Sequence, residues 1–364
     1  MCSIPVCYDR RSKRSEKFKT CRSRPTWHMF QTYLQEKKGL LTEALHEFFK
    51  LQKPRAINRW GKDAIERLEL FIQNGKMIRG TLVFLGHDLI SQHSAGDIVL
   101  VAQAAEFFQA GLLIHDDIMD NDELRRGKPS MHIQYTSLMI QENARYPKNT
   151  GRSLAICVGD AAFFFGYQLL NEIKNSDRRE QLTDLFSHTL TNVSFAQMED
   201  IYNGASLRNA SLNDILLLYQ YKTGHYSITF PLLAGAILAG AGKETLRHIE
   251  KFGADLGVAF QLTDDALNIF GDPTMTGKPT GSDLREGKQT PYVYYLKQEG
   301  ISITDVDIDI IKKKICELGI DKKVNELLQS YVVSAKETVQ KIPMKDAQKK
   351  LMLSFVDYLI KRVK

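Results

Sequence analysis

Two runs of acidic residues have the types and spacing to do chemistry. They are His115-Asp116-Asp117-Ile118-Met119-Asp120 and, far downstream, Gln261-Leu262-Thr263-Asp264-Asp265-Ala266-Leu267-Asn268. Side chains at i, i+1 and i+4 share one helical face. Each run follows an apolar stretch, Phe107-Phe108 to Ile114 and Val258-Ala259-Phe260, so each is expected to face a buried cleft. Adjacent carboxylates repel, and burying them is costly unless a cation compensates. Facing one another, two such runs would hold hard, oxygen-loving magnesium ions, and the ions in turn a diphosphate. One such run is common on surface helices. Two, each closing an apolar stretch, are a specific signal.

The elements that must position these runs are helices. Apolar residues recur at helical spacing over 27–52, 64–72, 98–119, 153–173, 181–202, 213–240, 244–270 and 305–362. The last stretch is expected to break at Gly319 and Pro343, and loops are expected at 74–76, 125–129 and 271–290. Convincing period-2 runs are absent, so strands are at most minor. The reading is all-α: one large helical bundle over 27–364, behind a basic leader at 1–26.

Composition narrows the class. The chain has 364 residues, 43% hydrophobic and 25% charged, which suits a soluble globular protein. Its net charge of +6 is partly concentrated at the start. Lys and Arg crowd the stretch from Arg10 to Arg24, where Glu16 is the lone acid. Such a start can be a transit peptide or an arm for anionic surfaces; a disordered leader is the simplest reading. Residues 1–17 lack the apolar core of a secretory signal. Five scattered cysteines form no CxxC pair and suit reduced thiols. The most apolar window, 226–241, contains Pro231 and is shorter than the roughly 20 residues a membrane span needs. A cytoplasmic protein is expected, with no nucleic-acid partner and no integral membrane segment.

Further motifs stand in order around the acidic runs. They are Gly75-Lys76-Met77-Ile78-Arg79, Phe108-Gln109-Ala110 leading into Asp120, and Leu124-Arg125-Arg126-Gly127-Lys128-Pro129-Ser130. Gly159-Asp160, Gln197 with Asp200, and Tyr221-Lys222-Thr223-Gly224 follow, then Phe260-Gln261 with Asp264-Asp265, Gly277-Lys278-Pro279, and Gly281 to Thr290. This set resembles the trans-isoprenyl diphosphate synthases, or polyprenyl synthetases, which extend an allylic diphosphate with isopentenyl diphosphate. The resemblance implies their helical fold around a central active-site cavity, and a homodimer.

It also implies roles. Asp116, Asp120 and Asp264 would ligate magnesium, three ions per site, supported by Asp117, Asp265 and Asn268. Arg125, Lys222 and Lys278 would hold the allylic diphosphate (dimethylallyl, geranyl or farnesyl). Gly75, Lys76, Arg79 and Arg126 would hold isopentenyl diphosphate, with Gln109 where many relatives have His. Thr223 and Gln261 would shield the developing allylic cation. No protein nucleophile is needed, and the released diphosphate is the plausible base. Three positions depart from the pattern: Asn268 replaces an acid, Met77 an Arg, and Gly80 a Pro. Asn268 brings no charge, so one metal is expected to bind more weakly.

Product length depends on what blocks the apolar tunnel below the first aspartates. Leu112, Gly111 and Phe108 stand four, five and eight residues before Asp116. Gly111 is expected to open its level and Phe108 to stop the chain about one turn (~5 Å) deeper. The expected product is therefore all-trans geranylgeranyl diphosphate, with farnesyl or a chain of 25 or more carbons as alternatives. A class I terpene cyclase shares the aspartate logic, but Lys76, Arg79, Arg125 and Arg126 argue for a second diphosphate substrate. A weakly catalytic subunit of a heteromeric synthase is supported only by Asn268. Asp160 reads as a core helix–helix bond, and Gln197 and Asp200 stay open between pocket and packing. Tyr221 reads as packing, Phe163-Phe164-Phe165 as core or subunit interface, and His115 as support for its neighbours.

Overall fold

The long periodicities become helices, and the chain stops them where local chemistry requires. The computed structural model describes residues 27–91, 96–205, 210–271, 281–302 and 307–361, except 286. The basic leader and Lys278 lie outside the described residues. The first half runs α1 (His28–Gln52), α2 (Arg59–Gln73), α3 (Ile78–Asp88), α4 (Ile98–Met119), α5 (Met131–Gln141), α6 (Pro147–Asn171) and α7 (Ser176–Ala205). The second half runs α8 (Leu212–Tyr219), a π-helical segment (Gln220–Thr229), α9 (Phe230–Leu238) and α10 (Lys243–Phe270). It closes with α11 (Ser282–Arg285), α12 (Pro291–Gln298), α13 (Ile308–Glu317), α14 (Ile320–Lys341) and α15 (Asp346–Lys361). Among the described residues the strands are two-residue pieces, β1 (Leu124–Arg125) and β2 (Lys128–Pro129), paired antiparallel.

Helix α4 is the centre of the bundle, packed by α1, α2, α3, α5, α6 and α9. Most of it is buried, with Phe107 and Phe108 fully enclosed. Phe107 meets Phe48, Phe49 and Phe165, while Phe108 meets Phe163, Tyr167 and Phe186 on the other side. Each buried aromatic contributes roughly 1.5–3 kcal/mol of burial free energy, which fixes α4 as the rail along which the first acidic run is placed. The rail ends at Asn121, whose φ of 55° takes the left-handed turn that stops a helix. The β1–β2 turn then uses positive φ at both Arg126 (56°) and Gly127 (72°), the geometry that tight hairpins favour.

Several expectations need correction. The stretch 213–240 is not one α-helix. Pro231 has no N–H to donate and its ring crowds the preceding turn, and the Phe230 N–H reaches back to the His225 carbonyl. The widened segment lets Gly224 lie against Gly257 of α10, where a Cβ on Gly257 would come 1.9 Å from the Gly224 Cα. Helices α3, α5 and α12 were not anticipated. Residues 80–87 of α3 are buried all round, and a helix without a polar face has no amphipathic period to read. Helices α4 and α6, rather than 226–241, are long and apolar enough to cross a membrane, each with a mean hydropathy of 1.5 over 18 residues. That window is 72% buried in α4 and only 39% buried in α6. The expected breaks at the C-terminus are present: Gly319 has φ 64°, and α14 ends at Lys341.

Candidate active site

The first acidic run occupies the last turn of α4 and the turn beyond it. The C-terminal end of a helix carries partial negative charge, so three carboxylates there make a strong cation site. Asp116 and Asp120 keep part of their side chains open, 27% and 18% exposed, while Asp117 is fully buried. Arg125 on β1 compensates them: its Nε donates to Asp117 Oδ1 at 2.5 Å, and Nη2 reaches Asp122 at 3.3 Å and Asp116 at 3.5 Å. Arg125, expected to hold diphosphate, is here bound to carboxylates. Even so, Asp117 Oδ2 is buried with no hydrogen-bond partner. Burial pushes the Asp117 pKa up to about 6; Arg125 opposes the shift, and Asp116 and Asp122 add to it.

The second run lies in the last two turns of α10. Asp265 is buried and accepts the Tyr219 hydroxyl at 2.5 Å and Gln261 Nε2 at 3.2 Å. Burial raises its pKa to about 8, with the nearby charges of Asp283 and Asp264 adding to the effect. Thr223, presented by the π-helical segment, donates to Gln261 Oε1 at 2.9 Å, so both expected cation-shielding residues stand together. Beside them Lys222 pairs with Asp200, and Gln197 Nε2 reaches Asp116 Oδ1 at 3.3 Å. Gln197 and Asp200, left open from sequence, thus each make a polar contact beside the acidic runs.

The two runs are joined by the segment after α10. Asn268 Oδ1 accepts the Asp283 backbone N–H at 3.3 Å, and the Asn268 carbonyl accepts the Gly281 N–H at 2.8 Å. Lys288 then lies 3.7 Å from both Asp283 and Asp120, bridging to the end of α4. Asn268 thus anchors this segment, a role its carbonyl serves without charge. Asp264 is partly exposed beside it.

A second polar cluster lies on the α3 side. Arg79 donates to Ser227 Oγ at 2.5 Å and stacks 4.7 Å over the Tyr226 ring, and its Nε is buried with no acceptor. Gln109 accepts the Tyr226 hydroxyl at 2.7 Å. Arg126 packs against Gly75, whose added Cβ would lie 3.0 Å from Arg126 Nη1, and donates to the Phe71 carbonyl at 3.0 Å. The same Cβ would lie 2.9 Å from the Ile72 carbonyl oxygen, a backbone atom that cannot swing away, so glycine at 75 serves close approach. Lys38, not singled out from sequence, donates to the Gly75 carbonyl at 2.8 Å; Lys76 is exposed at the rim. The adjacent Arg125 and Arg126 leave the hairpin toward different clusters. Lys38, Tyr219, Tyr226, Ser227 and Lys288 had no assigned role in the sequence, since each acts through residues distant in the chain.

Three further expectations change. Gly111 does not open a level: its added Cβ would meet Phe163 Cε1 at 2.6 Å and the Gly159 carbonyl oxygen at 2.9 Å. Asp160 is not a core bond; it is 51% exposed and lies 3.5 Å from His115. His115 turns toward α6, where its Nε2 stands 3.2 Å from the Ile156 carbonyl oxygen.

Comparison with known proteins agrees with this geometry. Residues 63–326 match the model of the polyprenyl synthetase family. The chain belongs to that family. This polyprenyl synthetase is a prenyltransferase enzyme built on the helical fold of its relatives. It is 28% identical to a geranylfarnesyl diphosphate synthase of Aeropyrum pernix, over 82% of this chain and 93% of that protein. It is 25% identical to a geranylgeranyl diphosphate synthase of Methanosarcina mazei, over 90% of this chain and 97% of that one. The crystal structure of geranylgeranyl pyrophosphate synthase from Corynebacterium glutamicum, complexed with isoprenyl diphosphate and magnesium, superposes with a TM-score of 0.82. It is 27% identical, covering 91% of this chain and 99% of that chain.

Proposed function

We propose that the enzyme condenses isopentenyl diphosphate head-to-tail with an allylic diphosphate and releases all-trans geranylgeranyl diphosphate. The observation that carries this reading is the presence of two polar clusters, each holding cations beside residues of the expected motifs. One holds the facing aspartate runs with Lys222 and Lys288, and the other holds Arg79 and Arg126 with Gly75 and Gln109.

The residues fit magnesium. Their donors are carboxylate oxygens at a helix C-terminus, and Asp117 carries a buried oxygen without a partner. Asp116, Asp120 and Asp264 would hold the metal, in three ions per site. When bound, magnesium neutralises the charge gathering on the leaving diphosphate.

The chain's own residues do the rest. Lys222 and Lys288, now held on Asp200 and Asp120, are the cations placed to turn to allylic phosphate oxygens. Arg79 and Arg126 orient the second diphosphate, which sets its alkene toward the allylic carbon. The Thr223 and Gln261 oxygens face the positive charge as it develops. The released diphosphate accepts the final proton.

Phe108 supports the twenty-carbon product. It is fully buried under the first aspartates, within an aromatic group of Phe163, Tyr167, Phe186 and, through Phe186, Phe230. The floor is thus shared between α4, α6, α7 and α9 rather than set by α4 alone. A homodimer is also part of the reading. Ile156 and Phe164 on α6, and Phe195, Met198 and Tyr202 on α7, are 43–72% exposed. The last three recur at i, i+3 and i+7, the spacing of a face that packs. A second copy of the chain covers it best. A cytoplasmic location is part of the same reading.

Product analysis tests the reading. Purified enzyme with magnesium and isopentenyl diphosphate, primed separately by dimethylallyl, geranyl and farnesyl diphosphate, should accumulate twenty carbons from each. No condensation from any primer by folded protein refutes it.

A further inference from the structure

Tyr219 carries a buried hydroxyl that the chemistry above does not use. It is the last residue of α8, 6% exposed, in the apolar cluster that includes Ile215, Val258 and Leu262. Its hydroxyl donates to Asp265 Oδ2 at 2.5 Å. Asp265 is 2% exposed, and its other oxygen, Oδ1, accepts Gln261 Nε2 at 3.2 Å. Gln261 Oε1 in turn accepts the Thr223 hydroxyl at 2.9 Å. Four side chains thus form one line of bonds, from the apolar core to the pair expected to face the allylic cation. Asp264 stays partly exposed, while Asp265, one residue on, turns both oxygens to donors inside the protein.

Gly257, Gln261 and Asp265 stand four residues apart on α10, so they share one face, each a turn from the next. Each meets a residue at the junction of α8 and the π-helical segment. Asp265 meets Tyr219, Gln261 meets Thr223, and Gly257 meets Gly224, where a Cβ on Gly224 would lie 3.1 Å from the Gly257 Cα. Tyr219 and the glycine pair therefore hold the chain on either side of Thr223. The direction of the Gln261 amide follows from the same bonds. An amide has a donor end and an acceptor end. Asp265 takes the NH2 end, which leaves the carbonyl oxygen for Thr223. Thr223 gives its one proton to that oxygen and has lone pairs left to present. Both groups then offer the negative ends of their dipoles to developing positive charge, whereas a reversed amide would offer N–H groups and oppose it.

We propose that Tyr219 is a positioning residue for ionisation of the allylic substrate. Through Asp265 it fixes the Gln261 amide with its oxygen toward Thr223, and Asp265 serves this line of bonds rather than a magnesium ion. This rests on the reading that Thr223 and Gln261 face the allylic cation.

The test uses the full-length enzyme with magnesium, farnesyl diphosphate and isopentenyl diphosphate, with thermal melts as a folding control. Tyr219→Phe removes the hydroxyl and keeps the ring. It should slow the saturated single turnover about tenfold, leave both KM values within about twofold, and leave the magnesium concentration for half-maximal rate unchanged. Gln261→Leu removes the amide through which Tyr219 acts. In that background Tyr219→Phe should cost at most about a further twofold, because both changes break one line of bonds. An unchanged rate in Tyr219→Phe overturns the proposal. So does a rise in either KM or in the magnesium requirement, which reports a slackened site, and so does an undiminished loss in the Gln261→Leu background. Should Tyr219→Phe not fold, Asp265→Asn takes its place under the same criteria: its loss must shrink in the Gln261→Leu background with the magnesium requirement unchanged, and either failure overturns the proposal. Gln261→Leu alone checks the reading beneath. If it leaves the single-turnover rate unchanged, the cation-shielding reading falls and the proposal with it; if only the Tyr219 and Asp265 variants fail, that reading stands.

Discussion

Replacing Phe108 by alanine removes a ring that is fully buried between α4, α6 and α7, in contact with Phe163, Tyr167 and Phe186. Two effects follow, and they must be separated. Losing a buried phenylalanine costs about 3–5 kcal/mol of stability, part of it as cavity. The melting temperature should therefore fall, and assays belong well below the new midpoint. The second effect is depth. Phe108 lies eight residues before Asp116, so removing it opens about one further helical turn (~5.4 Å), close to one isoprene unit. Tyr167, Phe186 and Phe230 remain beyond it, so the gain should stop after one or two units. Reverse-phase analysis of products from farnesyl diphosphate and labelled isopentenyl diphosphate should show the main peak move from twenty to twenty-five carbons, with little beyond thirty. A folded, active Phe108→Ala enzyme that still stops at twenty carbons would refute the floor and shift attention to α6.

Other outcomes follow from the same geometry. Asn268→Asp keeps an acceptor for the Asp283 N–H and adds a charge beside Asp264. The magnesium concentration for half-maximal rate should fall about threefold to tenfold, equivalent to roughly 0.7–1.4 kcal/mol, and an unchanged titration contradicts the idea. Phe164→Asp with Met198→Asp should give monomers in sedimentation while the helical circular dichroism persists; an unaltered dimer places the interface elsewhere. Asp88 is a structural case. Burial alone would raise its pKa, but His87, Tyr33 and Lys37 outweigh it and leave the carboxyl below its usual value. Its contribution to stability is thus complete above the unfolded carboxylate pKa and disappears as the pH falls through the lower folded value. Asp88→Asn should lower the melting temperature at neutral pH, and the difference should vanish in strong acid; a gap constant with pH argues against the charge.

How much of this was legible in the sequence depends on how far each signal reaches along the chain. Helices α1, α7 and α10 were readable because each buries one stripe and wets another, and α4, buried almost throughout, was readable as a long apolar run that ends in the acidic cluster. Helix α3 was not, because it is enclosed on every side, and the π-helical segment was not, because its cause is Pro231 together with the approach of Gly224 to Gly257. The paired aspartates were readable as a cation site because their cost is local: neighbouring carboxylates on one face need compensation wherever the chain goes next. What supplies that compensation is tertiary. Arg125 lies only five residues past Asp120, yet nothing local says whether it turns to a substrate or back to Asp117. In the structure it turns back to Asp117, while Lys222 and Lys288, the cations proposed for the substrate, pair with Asp200 and Asp120. The arrangement has a consequence for mechanism. Among the described residues, Arg125, Lys222 and Lys288 are each paired with a carboxylate, so on the proposed reading an incoming diphosphate with its metal would exchange partners with them. On that reading, a metal held by Asp116 and Asp120 would weaken the hold of Asp120 on Lys288 and free it for a phosphate oxygen, while Arg125 keeps its bond to Asp117. Binding of metal and of diphosphate should therefore be cooperative, each releasing the groups that the other needs.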